Sequence, residues 1–428
     1  MSIRHATAIV NAGLIALMLL GAGRVAAQTD EERRLEAIKA LPYVTWTEKE
    51  VPETEHGVTV YDSTRAYDGY TLSGGMVLVD MRGNEVHSWA SPVTKGKIEY
   101  ARMTSDGDVY ALFPSRGVCR IGWDGDVVWV AELVLHHDFG IDLDGSLLAI
   151  VRDDVCLREF GPAPIISDKI TRLREGGTVE DIWRLHEHRD ELSRWCSEEA
   201  LTTVSEGVPE QDWSHMNTLE VIRGIDAPPL SAGFGATGDE GGGVSDGGGN
   251  AAGQDAGRGH GNGTNNSRHV AFSPGNVLIC IRNLDFVGVI DMPTGEIVWG
   301  WGPGELDHPH EPSLLPNGNI LVFDNGFFRG WSRVVEYDPV AEEIVWEYKA
   351  DDVYDFYSRG RGGCQKLPNG NVLITESVKG RAFEVTPDGD VVWNFLNPVR
   401  GHRRRGTLYR TYRYDKDLVD RLLASHGR

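Results

Sequence analysis

His308-Pro309-His310-Glu311-Pro312-Ser313-Leu314-Leu315-Pro316-Asn317-Gly318-Asn319-Ile320-Leu321-Val322-Phe323-Asp324-Asn325-Gly326 is the stretch whose reading decides the fold. It predicts a β-hairpin: an inner strand, a turn at Pro316-Asn317-Gly318-Asn319, and a strand returning from Ile320. Asn-Gly between two apolar runs supplies the positive φ that a tight turn needs. His310 lies eight residues before Gly318, and Asn325 lies seven after it. Positions about equally far from a hairpin turn sit side by side. His310 and Asn325 are therefore expected as neighbours at the open end of this hairpin.

The same spacing recurs along the chain. His137 lies eight residues before Gly145, and Arg152 seven after it. Asn369-Gly370-Asn371 repeats the turn, with Gly362 and Ser377 at the matching places. Ser105-Asp106-Gly107 is a further copy, with Glu99 and Pro114. Arg282 lies seven residues after Gly275. Its partner strand is expected at Asp212-Trp213-Ser214-His215-Met216-Asn217-Thr218-Leu219, so the register of His215 is inferred across a long insertion. Three hairpins thus place His137, His215 and His310 at one repeat position, with Arg152, Arg282 and Asn325 beside them.

A second repeat marks the ends of the units. It reads Gly-x-Val/Ile-Val-Trp or close to it, and ends at Trp89, Trp129, Trp183, Trp299, Trp346 and Trp393. The first two Trp are 40 residues apart and the last three 47 apart. Units of this length with four short strands each make an all-β fold, a six-bladed β-propeller. The propeller is expected over residues 60–400. Residues 28–59 form a short N-terminal extension, with a short helix at 30–40. Residues 401–428 form a basic, then helical tail packed on the ring or its outer face. Between Trp183 and Trp299 two insertions account for the excess length. Residues 185–211 are charged and partly helical; residues 231–267, rich in glycine and nearly free of bulky apolar groups, are expected to be disordered. In a propeller the first strand of each blade lines the central channel, so residues at one repeat position converge on one axis.

Composition narrows the function. The net charge of −22 argues against nucleic acid as a partner, since phosphate binding needs a basic face. Residues 1–27 predict a secretory signal: Arg4, an apolar run, then the small-residue site Val25-Ala26-Ala27. Export to the periplasm or outside the cell follows, with no stable membrane span after signal removal; the alternative is an uncleaved anchor. The five cysteines show no CxxC spacing, and read as small buried apolar residues rather than zinc ligands.

Three histidines with an asparagine and arginines suit an oxyanion. Arg offers a fixed fork of donors for sulfate or phosphate. A neutral His can attack an electrophilic centre while others protonate a leaving phenoxide. Asp212-Trp213-Ser214-His215-Met216-Asn217, Leu278-Ile279-Cys280-Ile281-Arg282, His310 ahead of Leu315-Pro316-Asn317-Gly318-Asn319, and Phe323-Asp324-Asn325-Gly326 resemble the bacterial arylsulfotransferases. The resemblance runs over about residues 60–415 and includes the closing Leu408-Tyr409-Arg410-Thr411-Tyr412-Arg413-Tyr414. That family consists of exported six-bladed propeller enzymes that use no nucleotide sulfate donor.

By that resemblance His310 is the nucleophile that becomes sulfurylated. His215, Asn217 and Arg282 bind the sulfuryl group, and His137 is the remaining pocket histidine, an acid/base. The implied partners are an aryl sulfate donor and a phenolic acceptor, with no cofactor and no metal. Asn325 and Arg152 join the substrate-binding set from register alone; Arg152 has a second reading, as an ion-pair partner of Asp153 or Asp154. Some family enzymes carry an extra N-terminal β-domain used in dimerisation. The residues before the repeats are too few for one, and the oligomeric state stays open. No counterpart of the family's short disulfide loop is visible. Two rival readings remain: a metal-dependent hydrolase using the same histidines, and a secreted binding propeller without catalysis.

Overall fold

The computed structural model describes residues 52, 55–73, 75–90, 100–113, 117–174, 177–204, 211–224, 271–400 and 404–427. The expected signal at 1–27, the short helix at 30–40 and the glycine-rich segment 231–267 lie outside the described residues.

Six antiparallel sheets, each of four or five strands, form the six blades of a propeller. The fifth blade shows the plan: His310–Leu314, Ile320–Asp324, Arg333–Asp338 and Glu343–Tyr348, from the channel outward. Middle strands such as Val277–Ile281 and Phe286–Ile290 are buried along their whole length. Both faces of each blade pack on a neighbour, so these strands are continuous apolar runs rather than alternating ones. Burying one side chain of Leu or Phe size contributes roughly 1.5–3 kcal/mol. The outer strands are less covered, and Val127–Ala131 is half exposed.

The tryptophan repeat falls on the outer strands, or in the case of Trp89 just after one. Three of these indoles donate to a carbonyl of the next blade: Trp183 to Gly295 at 2.9 Å, Trp346 to Pro387 at 2.8 Å and Trp393 to Met81 at 3.0 Å. Each adds a directional tether, worth about 1 kcal/mol, to non-directional packing. The polar end of the indole is satisfied while its body fills the seam between blades.

The ring closes twice. The first blade takes Gly69–Ser73, Val77–Val79 and Glu85–Ser88 from the N-terminal side, but its innermost strand is Tyr412–Asp415. On the other side, Gly57–Tyr61 adds a fifth strand outside Val391–Leu396 of the sixth blade. The tail is therefore part of the ring, in contrast to the expected boundary at residue 400. Its strand positions Arg413, fully buried, which donates to Thr71 Oγ1 at 2.8 Å and to the Tyr67 carbonyl at 2.6 Å. The same guanidinium reaches Glu384 of the sixth blade at 3.2 Å and lies 4.6 Å from the Trp393 ring centre. One side chain so ties the first blade to the last. The helix that follows, Lys416–Ser425, buries Leu418, Val419 and Leu422 in the core cluster of the first blades.

The insertion after Trp183 forms short helical turns at Leu185–His188, Arg189–Leu192 and Glu198–Thr202. None of the five cysteines is paired; Cys119, Cys196, Cys280 and Cys364 are buried. Cys156 is exposed, which departs from the expectation of five buried thiols.

Candidate active site

The inner strands of the third, fourth and fifth blades are all irregular at the channel mouth. In the fifth blade His310 pairs with Phe323, and the next pair is Ser313 with Leu321. In the fourth, Met216 pairs with Ile281 and Thr218 with Cys280. In the third, the pairing jumps from Phe139 with Ala149 to Leu135 with Val151. Bulges of this kind re-aim side chains. They bring left-handed backbone at His137 (φ 70°), His215 (φ 53°) and Glu311 (φ 46°). Such φ values cost of order 1 kcal/mol each in non-glycine residues. They also correct the simple hairpin register, in which His310 and Asn325 were expected opposite one another. Their side chains meet because the strand bulges, not because their backbones pair.

His310 is buried. Its Nδ1 lies 2.6 Å from Asn325 Oδ1 and 3.2 Å from the His308 carbonyl. The Asn325 amide cannot turn round, because its Nδ2 donates to the carbonyls of Ser358 and Arg361, both at 2.7 Å. Nδ1 of His310 must then be the protonated nitrogen, donating to Oδ1. Its Nε2 is left with a lone pair, which accepts the backbone N–H of Arg361 at 3.2 Å. Burial first, then the charge of Arg282, holds His310 well below the ordinary imidazole range, with Arg410 and His215 acting in the same direction. A neutral imidazole with its lone pair on Nε2 is the form a nucleophile requires.

His215 is oriented from behind. Asp212 accepts from its Nδ1 in a short contact, and also accepts its backbone N–H at 3.1 Å. The carbonyl of His215 accepts the Arg282 N–H at 3.2 Å, which sets these two neighbours side by side. Asp168 fixes the same turn by accepting the Met216 N–H at 2.7 Å and the Ser214 hydroxyl. The His137 ring centre lies 4.5 Å from that of His215, and its Nδ1 is 3.2 Å from the Tyr409 hydroxyl. His137, His215 and His310 thus share one end of the channel.

The remaining expected residues divide. Arg282 is half-buried, donates to Asn283 Oδ1 at 3.0 Å and lies 5.7 Å from the Phe327 ring centre. Asn217 is fully buried and donates to the Pro309 carbonyl at 2.8 Å. It positions the His308-Pro309-His310 segment from the neighbouring blade. The Arg152 guanidinium pairs with Asp154 at 2.8 Å, the structural role set out as its second reading.

Four residues near the histidines were not assigned a role from sequence: Asp212, Arg361, Tyr409 and Arg410. Asp212 stands three residues before His215 in a motif already singled out, and a carboxylate at that offset was the available signal. Arg361 precedes Gly362, the sixth blade's residue at the repeat position. Tyr409 and Arg410 come from the closing segment, whose path through the ring has no local signature.

Arg410 lies under the pocket with no exposed side-chain surface. It donates to Asp138 at 2.8 Å, to the Asn217 carbonyl at 2.9 Å and to Thr218 Oγ1 at 3.1 Å, with Glu311 at 3.5 Å. Glu311 also accepts from the Tyr412 hydroxyl. The sixth blade makes room for this carboxylate: a Cβ on Gly363 would lie 1.5 Å from Glu311 Oε2. Beneath the histidines, Arg410 of the closing segment and Arg102 of the second blade thus compensate Asp138 of the third blade and Glu311 of the fifth, with Asn217 and Thr218 of the fourth as neutral acceptors.

Among the described residues, the group whose ligating atoms all lie within 4.8 Å is Asp285, Asp307 and His308, not the three channel histidines. Asp285 accepts the His308 N–H at 2.7 Å, and Asp307 accepts the N–H groups of Phe328 and Arg329 at 2.8 and 2.9 Å. In the histidine cluster, Nδ1 of His215 faces Asp212 and Nε2 of His310 faces an N–H donor.

A sequence model of the arylsulfotransferase (ASST) family matches residues 127–398. No curated protein matches the chain. Among solved structures, a protein of unknown function from Bacteroides caccae is similar at 14% identity and a TM-score of 0.47, covering 81% of this chain and 99% of that one. A catalytically inactive virginiamycin B lyase from Staphylococcus aureus, solved with quinupristin, is similar at 11% identity and a TM-score of 0.41, covering 82% and 88%.

Proposed function

We propose that the chain, which belongs to the arylsulfotransferase family, moves a sulfuryl group from an aryl sulfate to a phenol through a sulfurylated His310. The observation that carries this reading is the fixed Asn325 amide, which accepts from Nδ1 of His310 and leaves the lone pair on Nε2. In the first step Nε2 attacks sulfur, an N–S bond forms, the S–O bond to the aryl group breaks, and a phenoxide leaves. The Arg361 N–H, at 3.2 Å from Nε2, must yield that nitrogen as the sulfuryl group arrives. Arg282 and His215 meet the charge on the sulfuryl oxygens, where preorganised donors are most effective. His137 hands a proton to the departing phenoxide. In the second step an acceptor phenol gives its proton back to His137, and its oxygen takes the sulfuryl group from His310.

Asp212 holds the His215 ring through Nδ1, so that Nε2 faces the pocket, and His215 donates to the sulfuryl oxygens in the form that carries a proton on both ring nitrogens. Asn217 and Asn325 act by positioning the His310 strand and ring, and Arg152 is left as a structural residue.

A chromogenic aryl sulfate, such as 4-nitrophenyl sulfate with added phenol, tests the reading. The wild-type protein is expected to release 4-nitrophenol faster as phenol is added. His310→Ala is expected to abolish release while circular dichroism stays unchanged; equal turnover in the variant removes His310 from the mechanism. We further propose export, from the apolar segment and small-residue site at 1–27. N-terminal sequencing of the mature protein from the expressing cell should then start at Gln28, and a mature chain that retains residues 1–27 contradicts it.

A further inference from the structure

Phe328 is the most exposed large apolar side chain among the described residues, at 74%. It is not on a loose loop. Asp307 accepts both the Phe328 and the Arg329 N–H groups, and the Asp307 carbonyl accepts the Gly326 N–H at 2.9 Å. Gly330 N–H donates to the Gly326 carbonyl at 2.7 Å. The turn also requires glycine at 326, where φ is 68° and a Cβ would lie 1.8 Å from the Trp331 carbonyl oxygen. An apolar ring is thus held in water by a hydrogen-bonded frame.

Its surroundings point toward the histidines. Phe328 meets Phe327 edge-on, ring centres 5.0 Å apart, and meets His308 in the same way at 5.2 Å. Phe327 stacks on His308 at 4.6 Å. Guanidiniums cover Phe327 as well: Arg359 at 4.6 Å and Arg282, from the sulfuryl-binding set, at 5.7 Å. The His308 carbonyl in turn contacts His310 Nδ1. So Phe327 is taken up by its neighbours, and Phe328 is the open face of an aromatic stack that starts beside the nucleophile. Aromatic rings prefer such edge-to-face and offset contacts, and a further ring can extend the stack.

We infer that Phe328, backed by Phe327 and His308, is a stacking surface for a second aromatic ring of the acceptor, so that bicyclic phenols are taken in preference to phenol itself. This inference rests on the sulfuryl-transfer reading above and deepens it. The occupant is the part of the acceptor that projects beyond the reacting ring. The exposed Arg359, over Phe327, adds a cation at the same rim.

The test compares kcat/KM for 2-naphthol and for phenol as acceptors, with one aryl sulfate donor, in the wild-type protein and in Phe328→Ala and Phe328→Trp. The exposed position makes loss of folding no obstacle. The wild type is expected to favour 2-naphthol. Phe328→Ala is expected to lower the 2-naphthol-to-phenol ratio by roughly three- to tenfold, as loss of one aromatic pair implies. Phe328→Trp should keep the ratio. An active wild type whose ratio stays within twofold in Phe328→Ala overturns the stacking surface and leaves sulfuryl transfer standing. A wild type that transfers no sulfuryl group to either phenol overturns both.

Discussion

Nδ1 of His310 and Oδ1 of Asn325 stand 2.6 Å apart, and two backbone carbonyls hold the amide so that it can only accept. This pair fixes the tautomer of the imidazole. Asn325→Asp would place a carboxylate there, which favours the charged imidazole and raises its pKa. In the wild type, burial and Arg282 keep His310 below the ordinary imidazole range, so protonation of this group should cut activity only below about pH 6.5. In Asn325→Asp the acid limb of the kcat/KM profile is expected to move to higher pH, with at least a tenfold loss near neutrality. Measured pH–rate profiles of both proteins check this.

The contact of Asp212 with His215 makes a second, separable prediction. Asp212→Asn removes the charge that holds the His215 ring, and kcat is expected to fall by about 10²-fold or more, by analogy with other oriented histidines. Asp212→Glu should recover part of it. Steady-state kinetics on both variants, with thermal melts as a control for folding, distinguish orientation from general damage.

Arg410 compensates Asp138 and Glu311 beneath the histidines. Arg410→Met removes the nearest cation from two buried carboxylates, leaving Asp138 with Arg102 at 3.5 Å and Glu311 with the Tyr412 hydroxyl, which is expected to cost about 3 kcal/mol of stability. Replacing Asp138 by Asn in the same chain should restore part of that. Denaturant unfolding of the single and double variants measures the coupling.

Glu220, half-buried, accepts the Leu314 N–H at 3.2 Å. Burial pushes its carboxyl up to about 7, against the Leu314 hydrogen bond and the Arg102 charge. The folded state therefore binds this proton more tightly than the unfolded chain. That contribution is fully present below the unfolded carboxyl value near 4.5 and is lost as pH rises through about 7. Glu220→Gln keeps the acceptor and removes the titration. It is expected to be more stable than the wild type at pH 8, by roughly 1–3 kcal/mol, with the difference shrinking toward pH 5. Melting temperatures of both proteins across that range are the check.

Much of this molecule was legible in the sequence because it is written in repeats. Asn-Gly turns and the recurring Trp give the blade count, and in the fifth blade the return of the chain at Ile320, since turn chemistry and burial on both faces are local properties. The convergence of His137, His215 and His310 followed from register alone. What the register could not give was the bulge. It predicted Asn325 opposite His310, whereas His310 pairs with Phe323, because positive φ at residues such as Glu311 is a tertiary outcome without a glycine to announce it. Arg152 shows the same limit: position beside a histidine does not fix where a long side chain ends, and Asp154 takes it. The sequence places Tyr412–Asp415 in a tail packed on the ring or its outer face, whereas it is the innermost strand of the first blade, because its partner, Gly69–Ser73, lies at the opposite end of the chain. Nothing local encodes that pairing.

Covalent trapping tests the nucleophile most directly. The protein is mixed with an aryl sulfate and no acceptor, quenched within seconds at alkaline pH, digested and mapped by mass spectrometry. One sulfuryl group on the peptide containing His310, lost on adding phenol and missing in His310→Ala, is the expected result. A sulfuryl group carried by another residue, or transfer to phenol that persists in His310→Ala, contradicts it.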